Sequence, residues 1–192
     1  AALEALQGGE YEQAADKFRQ AGKQGCRDRR LGPLLLLSLF KAGQQAIADF
    51  VAAGGSVLAL HTATICFGDW PGWGELLGAR WKWGQSFHPP EQHVHVHVTN
   101  VAHPVTTGIA DFALDDEIFH YLEPSAPMQP LLSARASPDA PVQPLCWARE
   151  VGRGRVVYDA LGHSADSIRH PAHRRLLQQA ARWLCAPREA PA

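Results

Sequence analysis

The stretch Gly54-Gly55-Ser56-Val57-Leu58-Ala59-Leu60-His61-Thr62-Ala63 decides the fold. Its glycine pair stops a helix, its apolar run reads as a buried strand, and a polar residue stands where that strand ends. Open α/β proteins build ligand crevices in this order, at the carboxyl ends of their strands. Upstream, Ala46, Ile47, Phe50 and Val51 share one helical stripe running into Gly54. Before them, Pro33 opens Leu34-Leu35-Leu36-Leu37-Ser38-Leu39-Phe40, an apolar run that reads as a buried central strand, with its leucine richness also compatible with a helix. Strand, helix and strand predict a parallel pair joined by a right-handed crossover. The expected fold is therefore α/β, with an open, mostly parallel sheet and helices on both faces.

Between Thr62 and His103, the residues Trp70, Trp73, Trp81 and Trp83 are interleaved with glycines, which reads as loops and a short helix folded over a site. His93-Val94-His95-Val96-His97-Val98 alternates with period two, so one strand face carries three imidazoles and the other three valines. Val142 to Trp147 and Arg155 to Ala160 flank Val151-Gly152-Arg153-Gly154, a hairpin signal. Pro171 opens a closing helix with Leu176, Leu177, Ala180, Trp183 and Leu184 on its buried face. Residues 186–192 read as a frayed tail. At the other end, Tyr11, Ala14, Ala15, Phe18 and Ala21 mark a helix between Gly8-Gly9 and Gly22.

At 192 residues, 46% hydrophobic and 19% charged, the chain has the make-up of a soluble globular protein and is read as one domain. A formal net charge of -1 and the lack of a dense Lys/Arg stripe argue against nucleic acid. A small molecule is the expected partner, and a homo-oligomer is compatible with the sequence. No segment holds the ~18 to 20 unbroken apolar residues of a membrane span, so no membrane partner is expected. Without a secretory leader pattern the chain reads as cytoplasmic. Cys26, Cys66, Cys146 and Cys185 lack metal-ligand spacing and read as reduced, mostly buried thiols.

Gly54-Gly55 to His61, Leu77-Gly78-Ala79 through Phe87-His88-Pro89, His103-Pro104, Asp116-Glu117-Ile118-Phe119, Pro144 to Arg149, Gly152-Arg153-Gly154-Arg155-Val156 and Gly162-His163 occur in an order that resembles the ThuA-like family, named for trehalose utilisation. The likeness runs from about Pro33 to Leu184. It implies a flavodoxin-like fold related to the class I glutamine amidotransferases, and a role in sugar metabolism. This chain departs from the family in two places. Nothing before Pro33 reads as the family's first strand, so residues 1–32 form a divergent helical segment. Phe119 stands where a tyrosine is usual, with Tyr121 two positions on.

An amidotransferase needs a cysteine or serine on the tight turn after its strand. This chain has Leu60-His61-Thr62 there, and Cys66 lies beyond the strand without flanking glycines. Glutamine amidotransfer is therefore not expected, and the chemistry reads as acid–base. His61 and His163, at strand ends, would move protons, while Asp116 or Glu117 orients an imidazole or acts as base. His88 and His103, beside prolines, are expected to bind substrate. So is Arg149, whose guanidinium suits a carboxylate, phosphate or polarised carbonyl. Trp70 and Trp81 can stack on the apolar face of a sugar. The enzyme would be an isomerase, epimerase or hydrolase of a sugar, glycoside or keto-sugar; a non-catalytic carbohydrate-binding or regulatory module is the alternative. This scheme requires no cofactor. Zinc is the competing reading, held by His93, His95 and His97 or by a cluster of His61, His88 and His163, and it would make the protein a zinc-dependent hydrolase.

Overall fold

The computed structural model describes residues 1–187; the rest of the tail expected to fray, 188–192, lies outside them. Where one domain was expected, the contacts group into two compact units, Ala1–Phe50 and Val51–Ala192.

The first unit is helical. Helices α1 (Ala2–Gln7) and α2 (Tyr11–Lys23) bury Ala5, Ala14 and Phe18 against Leu31, Leu34 and Leu35. Those leucines belong to α3, a single helix from Leu31 to Ala52 that runs on past the unit's end. The strand expected at Leu34–Phe40 does not form, and with it goes the crossover expected ahead of His61. The reason is local: leucine, alanine, lysine and glutamine favour helix, and no β-branched residue occurs before Ile47. Pro33, in the first turn, takes no intrahelical bond away. By length and composition alone α3 is long and apolar enough to cross a membrane, but Lys41, Gln44, Gln45 and Asp49 interrupt its apolar run, so it is not the unbroken apolar segment sought in the sequence.

The second unit is built on a six-stranded sheet in the order β1-β8-β7-β6-β3-β4. Its strands are β1 (Ser56–Leu60), β3 (Gln92–Val98), β4 (Phe112–Asp116), β6 (Gln129–Ala134), β7 (Gln143–Val151) and β8 (Gly154–Asp159). Two short strands, β2 (Ala79–Arg80) and β5 (Glu123–Pro124), pair separately. Only β1 and β8 run parallel; the other neighbours of the main sheet are antiparallel. The sheet is thus mixed, which corrects the expectation of a mostly parallel flavodoxin-like sheet. Parallel neighbours need long helical crossovers, whereas turns and loops link β3 to β8 in succession.

Helices cover both faces, as expected. On one face Trp147 packs at a tilt against Tyr158, ring centres 4.4 Å apart, and donates Nε1–H to the Leu77 carbonyl at 2.7 Å, binding α4 (Pro71–Leu77). On the other, Cys146, Ala148 and Val157 pack with Leu176, Ala180 and Leu184 of α6 (Pro171–Cys185). The hairpin forms around Gly152-Arg153, with Gly152 at φ +56°, and its first strand is longer than the sequence suggested. In β3 the valines are buried, while His93 and His97 face water beside Asp115 and Asp111. Of the four thiols only Cys146 is buried, so the expectation of mostly buried cysteines does not hold.

Register shifts between β6 and β7 mark bulges, which sharpen strand twist. The sheet curls until the ends of its two outermost strands meet. The residues following β4 touch those following β1 and β8, and the candidate site lies on that seam.

Candidate functional site

His61 follows β1 directly and opens a short 3-10 turn, His61–Ile65. Its φ of +44° is left-handed, a conformation that costs a residue with a Cβ about 1–2 kcal/mol. Two contacts hold it there: the Tyr158 hydroxyl donates to its carbonyl at 2.7 Å, and its Nδ1 donates to the Ala160 carbonyl at 2.8 Å. Since a carbonyl only accepts, Nδ1 carries the proton and Nε2 is the atom turned towards the site.

Glu117, just past β4, supplies a nearly buried carboxylate at the centre. His61 Nε2 lies 3.5 Å and His163 Nδ1 3.3 Å from its Oε2, while His88 Nδ1 lies 3.2 Å from Oε1. His88 Nδ1 also meets the Pro89 carbonyl at 3.0 Å, and its segment is pinned by the Phe87–His120 bridge. His61 and His163 have their rings 5.6 Å apart. Phe119 lies 4.7 Å from the His61 ring and 5.7 Å from that of His88, and Trp81 stands edge-on to Phe119 at 5.4 Å. His61 and Glu117 are mostly covered, but the side chains of His163 and His88 are 43% and 40% exposed, which leaves a way in from solvent.

Asp116, expected as a catalytic partner of Glu117, is fully buried and saturated. It accepts from the backbone N–H of Glu117 and of Gly162, both at 2.8 Å, from that of His163 at 3.2 Å, and from the Ser167 hydroxyl. It is a positioning residue that ties the loop after β8 to the end of β4. Neither carboxylate is solvated, since both side chains are covered.

Beneath this clamp is a pair that sequence reasoning missed. His173 Nε2 meets Asp159 Oδ2 at 2.9 Å, and its Nδ1 meets the Ser167 carbonyl at 2.9 Å. Burial, the largest single influence, pushes this imidazole down, but the hydrogen bond and charge of Asp159 help to outweigh it and hold it above 6.5. An acceptor on each nitrogen favours the imidazolium form of the ring. A signal was present: His173 shares the apolar helical spacing of Leu176, Ala180 and Leu184.

Three of the expected ligand-binding residues lie away from this cluster. His103 accepts the Val105 N–H at Nδ1 and packs 4.9 Å from Trp183, near Arg155 at the opening of β8. Burial, with the Arg155 charge, lowers its pKa, as suits a neutral packing histidine. Arg149 pairs with Val156 towards the same far end of β8, and a Cβ on Gly78 would come within 3.2 Å of its Nη1. Its Nε and Nη1 are buried without a hydrogen-bond partner, and desolvation lowers its pKa. Trp70 stacks on Trp73, whose Nε1 donates to the Ala63 carbonyl, so the two brace the turn after His61. Cys66 is exposed, with Sγ directed to the Thr62 carbonyl.

Of the residues named from sequence, His61, His88, Glu117, His163 and Trp81 therefore come together. One ligand-type atom each from His61, Glu117 and His163 lie within 4.8 Å of one another. A carboxylate faced by imidazoles can relay protons or share a cation.

The ThuA family, described as trehalose utilisation, matches residues 37–184. No curated protein matches the chain. Among solved structures, a ThuA-like protein from Parabacteroides merdae is similar at 18% identity and a TM-score of 0.65, over 73% of this chain and 64% of that one. A ThuA-like protein from Bacteroides uniformis is similar at 22% identity and 0.60, over 73% and 62%. A cytoplasmic protein from Salmonella typhimurium is similar at 14% identity and 0.55, over 73% and 59%. The chain thus spans less than two thirds of these structures.

Proposed function

Since the chain belongs to the ThuA family of trehalose utilisation, we propose that it acts on a sugar or sugar derivative at Glu117, with His61 and His163 moving protons. The observation that carries this reading is the convergence of three imidazoles on one covered carboxylate, from segments far apart in the chain. Glu117 is suited to be the base. His163, more exposed than His61, is suited to exchange protons with substrate and solvent, because imidazole changes charge near neutral pH. Trp81 and Phe119 offer an aromatic wall for the apolar face of a pyranose ring. His88 steadies the second carboxylate oxygen.

Isomerisation, epimerisation or hydrolysis of a sugar, glycoside or keto-sugar fits these groups. Glutamine amidotransfer does not, because a histidine occupies the strand-end position of the nucleophile. The location proposed is the cytoplasm, by analogy with the Salmonella typhimurium neighbour. The test is incubation with trehalose, related glycosides and their keto derivatives, followed by NMR. Turnover is expected, and Glu117→Gln should cut kcat/KM by about 10²- to 10⁴-fold. Saturable binding without turnover in the wild type would instead make the protein a carbohydrate-binding module, and neither binding nor turnover would end the sugar reading.

A further inference from the structure

The geometry points to a divalent transition-metal site with His61 Nε2, Glu117 Oε2 and His163 Nδ1 as ligands. Two imidazole nitrogens face one carboxylate oxygen, at 3.5 and 3.3 Å. With Nδ1 of His61 already donating to Ala160, the neutral ring turns a lone pair towards that oxygen. Facing a carboxylate, that lone pair is repelled unless positive charge lies between them. His163 can present an Nδ1–H to the same oxygen in one neutral tautomer, but His61 would need an added proton, whereas one cation satisfies all three atoms at once.

The spacing agrees. Metal–ligand bonds of about 2.0–2.1 Å in a tetrahedral site put neighbouring ligand atoms roughly 3.3–3.4 Å apart. The third pair, His61 with His163, lies within 4.8 Å, and the half-exposed His163 can swing inward to close it. Two imidazoles and a carboxylate suit zinc or ferrous iron, with positions left open on the exposed His163 side for water and a sugar hydroxyl.

The surroundings match those of metal ligands. A histidine that binds metal usually gives its other N–H to a carbonyl or carboxylate, which fixes its tautomer and direction; Ala160 does this for His61. A ligating carboxylate is itself held by hydrogen bonding, and His88 Nδ1 approaches the free oxygen of Glu117. The left-handed backbone of His61 keeps that ring at the seam. The inference rests on the same cluster as the sugar reading and names a cofactor for it, in place of the direct proton transfer by His61, His163 and Glu117, whose ligating atoms cannot also exchange protons.

The test uses chelator-stripped full-length protein titrated with Zn²⁺ against a chromophoric competitor, and with Co²⁺ read by its visible absorption. One equivalent is expected in the wild type, with a tetrahedral or five-coordinate cobalt spectrum. His163→Ala, on an exposed loop, and the near-isosteric Glu117→Gln should each weaken binding more than 100-fold, and His88→Ala about 10- to 100-fold. Circular dichroism checks that each variant is folded. A His93→Ala, His95→Ala, His97→Ala triple variant should keep its equivalent. Failure of the wild type to bind a full equivalent, binding unchanged in both His163→Ala and Glu117→Gln, or loss in the triple variant would overturn the site. Metal bound with neither sugar binding nor turnover would end the sugar reading and leave this one standing; turnover by a protein that binds no metal would do the reverse.

Discussion

The Tyr158 hydroxyl is the residue-scale contact on which the site most depends. It donates to the His61 carbonyl at 2.7 Å and lies 3.4 Å from the Thr64 hydroxyl, and burial raises its own pKa. Tyr158→Phe should cost about 1–3 kcal/mol, because a carbonyl is left covered without a donor. Urea unfolding would read this directly, and an unchanged midpoint would show that water replaces the hydroxyl. Glu117, His61, His163 and His88 were legible in the sequence because imidazoles and carboxylates beside turns are uncommon in a packed interior. His103 looked alike beside its proline but serves as packing, a distinction that depends on which end of β8 it lies against. Asp116 and Glu117 looked equivalent, yet alternation sends one inward to backbone donors and the other into the site.

At the scale of elements, the hairpin joins the site-bearing strand β8 to the sheet, and Gly154 begins that strand against the end of α3. A Cβ there would lie 2.5 Å from the Val51 carbonyl oxygen and would also strike that of Gly55. Neither backbone group can move without shifting β1, so Gly154→Ala should lower the thermal midpoint sharply; a variant as stable as wild type would show that β1 shifts freely against β8. Leu176→Ala, which empties part of the core between α6 and the sheet, should cost about 2–5 kcal/mol in urea. The hairpin, the histidine–valine strand and the closing helix were readable because a two-residue turn, a period of two and a period of 3.6 each leave a pattern. The leucine run leaves none, and length and neighbours decided for helix. Strands β4 and β6 were missed for a related reason: each is short, and β6 is buried through most of its length with no polar alternation.

At the scale of the whole molecule, three buried histidines set how stability follows pH. Folding raises the pKa of His173 above 6.5, so the contribution of its pair with Asp159 is fully present below pH 6.5 and is lost as pH rises through the folded value. His103 and His120, lowered by burial, act in the opposite sense and withdraw stability as pH falls below 6.5. Comparing wild type with Asp159→Asn isolates the first effect. The gap between their urea midpoints should be widest near pH 6 and should narrow towards pH 9, whereas a constant gap would mean that the ring is neutral throughout.

The curl of the sheet has a consequence for the order of events in folding. Glu117 rides on one rim of a six-strand ribbon and His61 on the other, so the centre comes into being only when the ribbon has bent round and its rims clasp. Contacts between such distant segments form late and slowly, and ligand affinity should return after the far-ultraviolet signal when denaturant is diluted away. A chain with one strand slipped holds its halves apart and stays silent, so the centre certifies the architecture that carries it.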